Sequence, residues 1–230
     1  MQEFDLKSFI DNLKNETPEQ IKEREKRYQE YQALQSKEQE EIKRNAIAEK
    51  FGKRFVDCTF DNYKTDNDKQ VAVKQACIDY LHLPKSKGES LMLFGKSGTG
   101  KNHLVTAMLR DNYRVVEVIR LEYLNAEKMS IQKSGGNWMY KFKKYCYCDY
   151  LVIADLVIRG DGLSDSVKEM LLYIIDERYN NCKPVIICTN VDVKSLKSAI
   201  DFDSTERVSD RLREMVGNRV YCMDWESYRG

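Results

Sequence analysis

The chain has 230 residues, 42% of them hydrophobic, which is enough for one core of ordinary size. Its 33% charged content exceeds the ~25% usual for globular chains. Thirty-eight Lys and Arg against 37 Asp and Glu leave a net charge of +1, which excludes a histone-like basic protein or an acidic tail protein and confines any nucleic-acid contact to a local patch. No apolar run approaches the ~18–20 residues of a membrane span. Met1-Gln2-Glu3-Phe4-Asp5 has neither the basic start nor the apolar stretch of a secretory signal. The expectation is therefore a cytoplasmic protein with no membrane partner.

In chain order, the first 50 residues form a charged arm: 22 of them are charged, none is Gly and one, Pro18, is Pro. Leu6, Phe9, Ile10 and Leu13 fall on one face of a short amphipathic helix, read either as a docking element for a protein partner or as a helix packed on its own core. Thr17-Pro18-Glu19-Gln20 reads as a helix start, with Thr17 as N-cap, Pro18 in the first turn and Gln20 completing a capping box. The helix should run to about residue 50. Its apolar stripe (Ile21, Tyr28, Tyr31, Leu34, Ile42, Ala46) is too thin for a core helix and predicts an exposed or partner-binding one.

From Phe51 onward apolar runs alternate with amphipathic stretches. Strands are predicted at 90–94, 115–119, 149–153, 184–189 and 219–223, and helices at about 69–82, 100–110, 121–132, 164–181 and 205–216. Near-continuous apolar strands separated by helices predict an α/β fold with a parallel sheet covered on both faces. Gly135-Gly136 and Gly160-Asp161-Gly162 mark loops. The seven cysteines are scattered and odd in number, which does not suit a disulfide framework, and the two histidines, His82 and His103, lie far in sequence from the Cys146/Cys148 pair. Reduced thiols serving as small core side chains are expected.

Gly95-Lys96-Ser97-Gly98-Thr99-Gly100-Lys101-Asn102 follows a strand and opens a helix, the context of a phosphate-binding loop. Glycines let successive N–H groups wrap phosphates, the helix N-terminus adds partial positive charge, and Lys101 reaches the β- and γ-phosphates. Asn102 stands where Ser or Thr normally meets Mg²⁺. With His103 it makes the chain resemble the DnaC-type bacterial replicative helicase loaders, whose loop carries the same Asn-His pair.

The resemblance extends over about residues 51–229. Phe55–Tyr63 is similar to the segment bordering the family's nucleotide site, and Trp225-Glu226-Ser227-Tyr228-Arg229 to its closing W-[DE]-S-Y-R. It implies a P-loop AAA+ core, 51–230, with a five-stranded parallel sheet, no C-terminal lid, and a helical extension, 1–50, that docks on a DnaB-type hexameric helicase. It implies ATP/ADP and Mg²⁺ as cofactors, with the nucleotide held by residues 95–103. Asn190 is then implied as sensor I, Arg211 as the arginine finger reaching a neighbouring subunit in an ATP-dependent oligomer, and Arg229 as the sensor II arginine. The absence of Cys before Cys58 excludes the zinc-bearing extension of the related DnaI type. A phage- or prophage-borne member fits the short, divergent extension.

The chain departs from the family at Asp149-Tyr150-Leu151-Val152-Ile153-Ala154-Asp155. Ala154 takes the metal-side carboxylate position, and Asp155 takes that of the catalytic base. In an ideal strand Asp155 points away from the face of residue 154, so it replaces the missing carboxylate at Mg²⁺ only if the strand ends or bulges there. Either a natural weak ATPase or an engineered Asp→Ala change accounts for Ala154. Nucleotide binding with slow hydrolysis is expected in both cases. Finally, Trp138, Tyr140, Phe142, Tyr145 and Tyr147 interleave with Lys141, Lys143 and Lys144. This is either a single-stranded DNA surface, with Lys128 and Lys133 as further candidates, or an amphipathic helix whose aromatics pack on the sheet. The functional readings are an AAA+ loader placing a ring helicase on single-stranded DNA, an IstB-like transposition helper ATPase, and a non-catalytic helicase-binding inhibitor.

Overall fold

The computed structural model describes residues 17–84, 87–110, 116–156, 163–201 and 206–228, with Asp155 and Leu156 described by backbone alone. Leu6, Phe9, Ile10, Leu13 and Arg229 lie outside these residues. The chain divides into two compact units, residues 1–46 and 47–230.

The first unit carries most of helix α1, Pro18–Phe51. Thr17 and Gln20 close the expected capping box, with Thr17 N donating to Gln20 Oε1 at 2.9 Å and Gln20 N to Thr17 Oγ1 at 3.3 Å. Its apolar stripe is solvent-facing, from Ile21 at 37% exposure to Ile42 at 67%. Such a helix is held by propensity and i,i+4 pairs such as Lys26–Glu30 rather than by core burial. Only Ile47 and Phe51, in the second unit, are buried.

The second unit is built on five parallel strands: β1 Leu91–Gly95, β2 Val116–Ile119, β3 Tyr150–Leu156, β4 Val185–Thr189 and β5 Val220–Met223. They lie in the order β2-β3-β4-β1-β5. Helices α2 Asp68–Leu81, α3 Lys101–Arg110, α4 Leu121–Lys133, α5 Trp138–Tyr147, α6 Asp165–Asn180, α7 Val193–Ile200 and α8 Arg207–Val216 surround them. Among the described residues no helix is long and apolar enough to cross a membrane.

Strand alternation divides the core in two. Leu91, Leu93, Tyr150, Val152, Ala154, Ile186 and Cys188 pack with α2 and α3. Met92, Leu151, Ile153, Val185 and Ile187 pack with α4, α5, α6, α7 and α8. Cys77 and Cys188 belong to the first cluster and Cys146 and Cys148 to the second, as small apolar groups.

Two helices escaped the sequence pattern. α7 is only eight residues long and is started by Asp192, whose carboxylate accepts from Ser195 N at 2.9 Å. α5 resolves the aromatic–lysine alternation: Trp138, Phe142 and Tyr145 are buried, which corrects their reading as base-stacking residues. Arg178 of α6, fully buried, fastens the end of α5. It donates to Tyr145 O (2.7 Å), Cys146 O (3.3 Å) and Cys148 O (3.1 Å) from Nη1, and to Pro184 O (2.6 Å) from Nη2.

Candidate nucleotide-binding site

Phe94 of β1 pairs with Thr189 of β4, and Gly95 pairs with Met223 of β5. The segment leaving β1 therefore emerges between the C-terminal ends of its two neighbours, where open parallel sheets bind ligands. Gly95, Gly98 and Gly100 have φ of +138°, +83° and +92°, a region where L side chains are strained. Space is closed as well: a Cβ at Gly95 would stand 2.2 Å from Met223 O, one at Gly98 2.0 Å from Ser227 Oγ, and one at Gly100 2.6 Å from the Tyr63 ring.

The concave side of this loop faces a cavity of about 180 Å³ lined by Ser97, Gly98, Gly100, Lys101, Asn102, His103 and Asn190, together with Phe55 and Tyr228. Lys101 is 7% exposed and its ammonium donates to Gly95 O and Lys96 O, both at 2.7 Å, which holds it inside the loop. Thr99 is buried, and its hydroxyl donates to Lys96 O at 2.9 Å. His103 Nε2 lies 2.9 Å from Thr59 O, a pairing that requires the proton on Nε2, and its ring meets Tyr63 edge-on at 5.3 Å. Burial holds the His103 pKa below its ordinary value, against the pull of that hydrogen bond.

Gly95, Lys96 and Thr99 thus belong to the loop framework, while the other sequence-assigned loop residues and Asn190 share the cavity wall. Arg211 stands elsewhere. It pairs with Asp176 on α6 and lies 5.3 Å from the Tyr179 ring centroid, and Arg207 reaches the same carboxylate at 3.0 Å. Asp155 lies on β3 where the ladder to β4 is irregular: Ile153 pairs with Ile187 and Leu156 with Thr189, three steps against two. That is a one-residue bulge, the backbone condition set above for residue 155. Ala154 is 1% exposed and packs in the same cluster as Leu104 and Cys188. Among the described residues no group of three His, Cys, Asp or Glu side chains is placed to hold a metal ion. The glycine loop and Lys101 on the cavity wall suit a phosphate chain; for Mg²⁺ the described wall offers the Asn102 amide, which suits a cation carried mainly by phosphates.

Sequence reasoning assigned no role to Tyr63, Trp225 or Tyr228 individually. Trp225 Nε1 donates to Thr99 O at 3.0 Å, Tyr63 Oη to the same oxygen at 3.3 Å, and Tyr228 N to Gly98 O at 3.0 Å. Aromatic residues of this kind read as core in any single sequence.

Five parallel strands in this order, with a glycine loop after β1 and Asn190 beyond β4, define the second unit as a P-loop core of the AAA+ class. The family model of the bacterial DnaA ATPase domain matches residues 53–215. The replicative helicase loader DnaC of Buchnera aphidicola subsp. Acyrthosiphon pisum is 30% identical over 183 residues, covering 76% of this chain and 70% of that protein. A crystal structure of the DnaC helicase loader superposes with a TM-score of 0.64 at 26% identity, over 74% of this chain and 98% of that one. The AMPPCP-bound DnaA of Aquifex aeolicus shares the fold at a TM-score of 0.56 and 16% identity, over 68% and 48% of the two chains. The chain belongs to the DnaC-like branch of the DnaA-type AAA+ proteins.

Proposed function

We propose that this chain is a helicase loader that binds ATP and ADP in the Gly95–Asn102 cradle and engages a DnaB-type hexameric helicase through residues 1–50. The observation that carries the reading is the single cavity wall shared by Lys101, Asn102, His103 and Asn190 beneath the glycine loop. Asn102 and Asp155 would be the residues to hold Mg²⁺, which would supply charge neutralisation on the phosphates. Arg211 and Arg229 act on nucleotide charge in an assembled oligomer, and for that Arg211 exchanges Asp176 for a neighbouring subunit's phosphates. Tyr140, Lys141 and Lys143, all exposed on α5, form the single-stranded DNA surface. Lys143 Nζ lies 5.6 Å from the Tyr140 ring centroid. Lys144 contributes less because Glu127 holds it at 2.9 Å, and Lys128 is taken up by Glu169 at 2.9 Å and by the Trp138 face. Ala154, buried where the family carries a carboxylate, favours nucleotide as a switch with slow turnover.

The test is co-purification with the replicative helicase in ATP, using the full chain, the chain lacking residues 1–50, and Lys101→Ala. Capture by the full chain, and its loss without residues 1–50, is expected. An absence of capture by the full chain in ATP removes the loader reading. Capture without delivery of the helicase to coated single strands would make the chain an inhibitor instead.

A further inference from the structure

The Trp225–Tyr228 segment packs against the phosphate loop, with Tyr228 also on the cavity wall, and holds two consecutive loop carbonyls. In a planar trans peptide the C=O of one residue and the N–H of the next point in opposite directions. Gly98 O is held by Tyr228 N, so the Thr99 N–H is turned the other way. Thr99 O is held by both the Trp225 indole and the Tyr63 hydroxyl, so the Gly100 N–H is turned the other way too. Gly98 and Gly100 line the cavity assigned to the phosphate chain, and that is the side these two N–H groups are proposed to face. The donors are themselves anchored. Tyr228 Oη donates to Lys64 O at 2.8 Å, and the Tyr63 and Tyr228 rings meet edge-on at 6.0 Å. Burial raises the Tyr63 pKa far above the ordinary range, so its hydroxyl remains a donor at any working pH.

We propose that Trp225, Tyr228 and Tyr63 are positioning residues for phosphate recognition: they lock the Thr99 and Gly100 amides toward the bound phosphates before nucleotide arrives. The inference rests on the nucleotide-site reading above and adds to it a clamp formed by the Trp225 indole, the Tyr63 hydroxyl and the Tyr228 main-chain N–H. Preorganised donors bind more tightly because they lose no freedom at the moment of binding.

The experiment measures affinity of the full chain for ADP and for inorganic pyrophosphate, with the nucleotide-free melting midpoint, in Trp225→Phe, Tyr63→Phe, their double variant and Lys101→Ala. Tyr63→Phe removes only the donor hydroxyl, whereas Trp225→Phe removes the indole donor together with part of the buried ring volume, a loss that the nucleotide-free midpoint reports. Each single variant should weaken ADP about threefold and the double about tenfold, with pyrophosphate weakened by the same factors and the midpoint little changed. A merely structural role lowers the midpoint and leaves affinity of the folded fraction intact. Double-variant affinity within twofold of the parent, alongside loss of binding in Lys101→Ala, overturns the clamp and leaves the site reading standing. Parent-like ADP binding in Lys101→Ala overturns the site reading itself. Amide exchange in the unaltered chain gives a reading independent of any variant's folding. The Trp225 indole N–H should be protected with and without pyrophosphate, and the Thr99 and Gly100 amides only with it. Free exchange of the indole overturns the clamp.

Discussion

Replacing Arg178 by Met tests how the sheet and α5 are held together. The guanidinium is fully buried, and the groups it donates to are main-chain carbonyls at the end of α5 and the starts of β3 and β4, with Cys148 Sγ at 3.2 Å. Two of its bonds, to Tyr145 O and Pro184 O, are short at 2.7 and 2.6 Å. Charged donors to carbonyls contribute roughly 1.5–3 kcal/mol each, so these two give about 3–6 kcal/mol. Relief of the guanidinium's own desolvation, which already lowers its pKa, offsets part of this. Met fills similar volume but leaves Pro184 O with only the long bond from Leu151 N and Tyr145 O with only the weak Cys148 thiol donor, so a net loss of about 3–4 kcal/mol is expected. At about 2–4 °C per kcal/mol for a chain of this size, the melting midpoint should fall by roughly 6–16 °C. Urea melts at unchanged slope are the assay. Arg178→Lys should fall between the two, since one ammonium cannot reach both groups of carbonyls. A Met variant within about 1 kcal/mol of the parent would refute the reasoning and make Arg178 a space-filling group.

Three other outcomes follow from the site. Ala154→Asp puts on β3 the carboxylate that the family carries at this position and should raise steady-state ATP turnover by about tenfold or more; equal, brisk rates in both chains contradict the slow-hydrolysis reading. Lys141→Ala with Lys143→Ala should flatten the salt dependence of single-stranded DNA affinity by roughly one to two units of slope, and Lys144→Ala by less, measured by titration across salt. An unchanged slope assigns α5 to packing alone. Burial lowers the His103 pKa in the folded chain, so between that depressed value and about 6.5 the unfolded chain binds more protons. Stability should rise with pH through that window and level off above about pH 7. His103→Gln should flatten urea midpoints compared at pH 5 and 7.5, and an identical acid loss in that variant places the titrating group elsewhere.

The strands and the phosphate loop were legible because burial on both faces demands unbroken apolar runs, and because a glycine loop between strand and helix has few other uses. The capping box at Thr17 was readable from four residues. α7 was not, since eight residues give barely two turns of periodicity. α5 was ambiguous for a different reason: aromatic and lysine side chains interleave in the same way on a stacking platform and on an amphipathic helix. Burial, which separates Trp138 and Phe142 from Tyr140, is set by α6 and the sheet rather than by α5 itself. The Arg211–Asp176 pair joins two helices whose register no local pattern fixes.

The hydrogen bond from Trp225 to Thr99 spans 126 residues of sequence. At about 5–20 residues per second, a ribosome makes the glycine loop roughly 6–25 s before it makes the indole that holds it. During that interval the loop sequence and Tyr63 have been made, while Gly98 O lacks the Tyr228 N–H and Thr99 O lacks the Trp225 indole. On the clamp proposed above, full nucleotide affinity would be acquired late in synthesis, and a nascent chain paused before Trp225 would carry the whole phosphate-loop sequence without the indole that completes it.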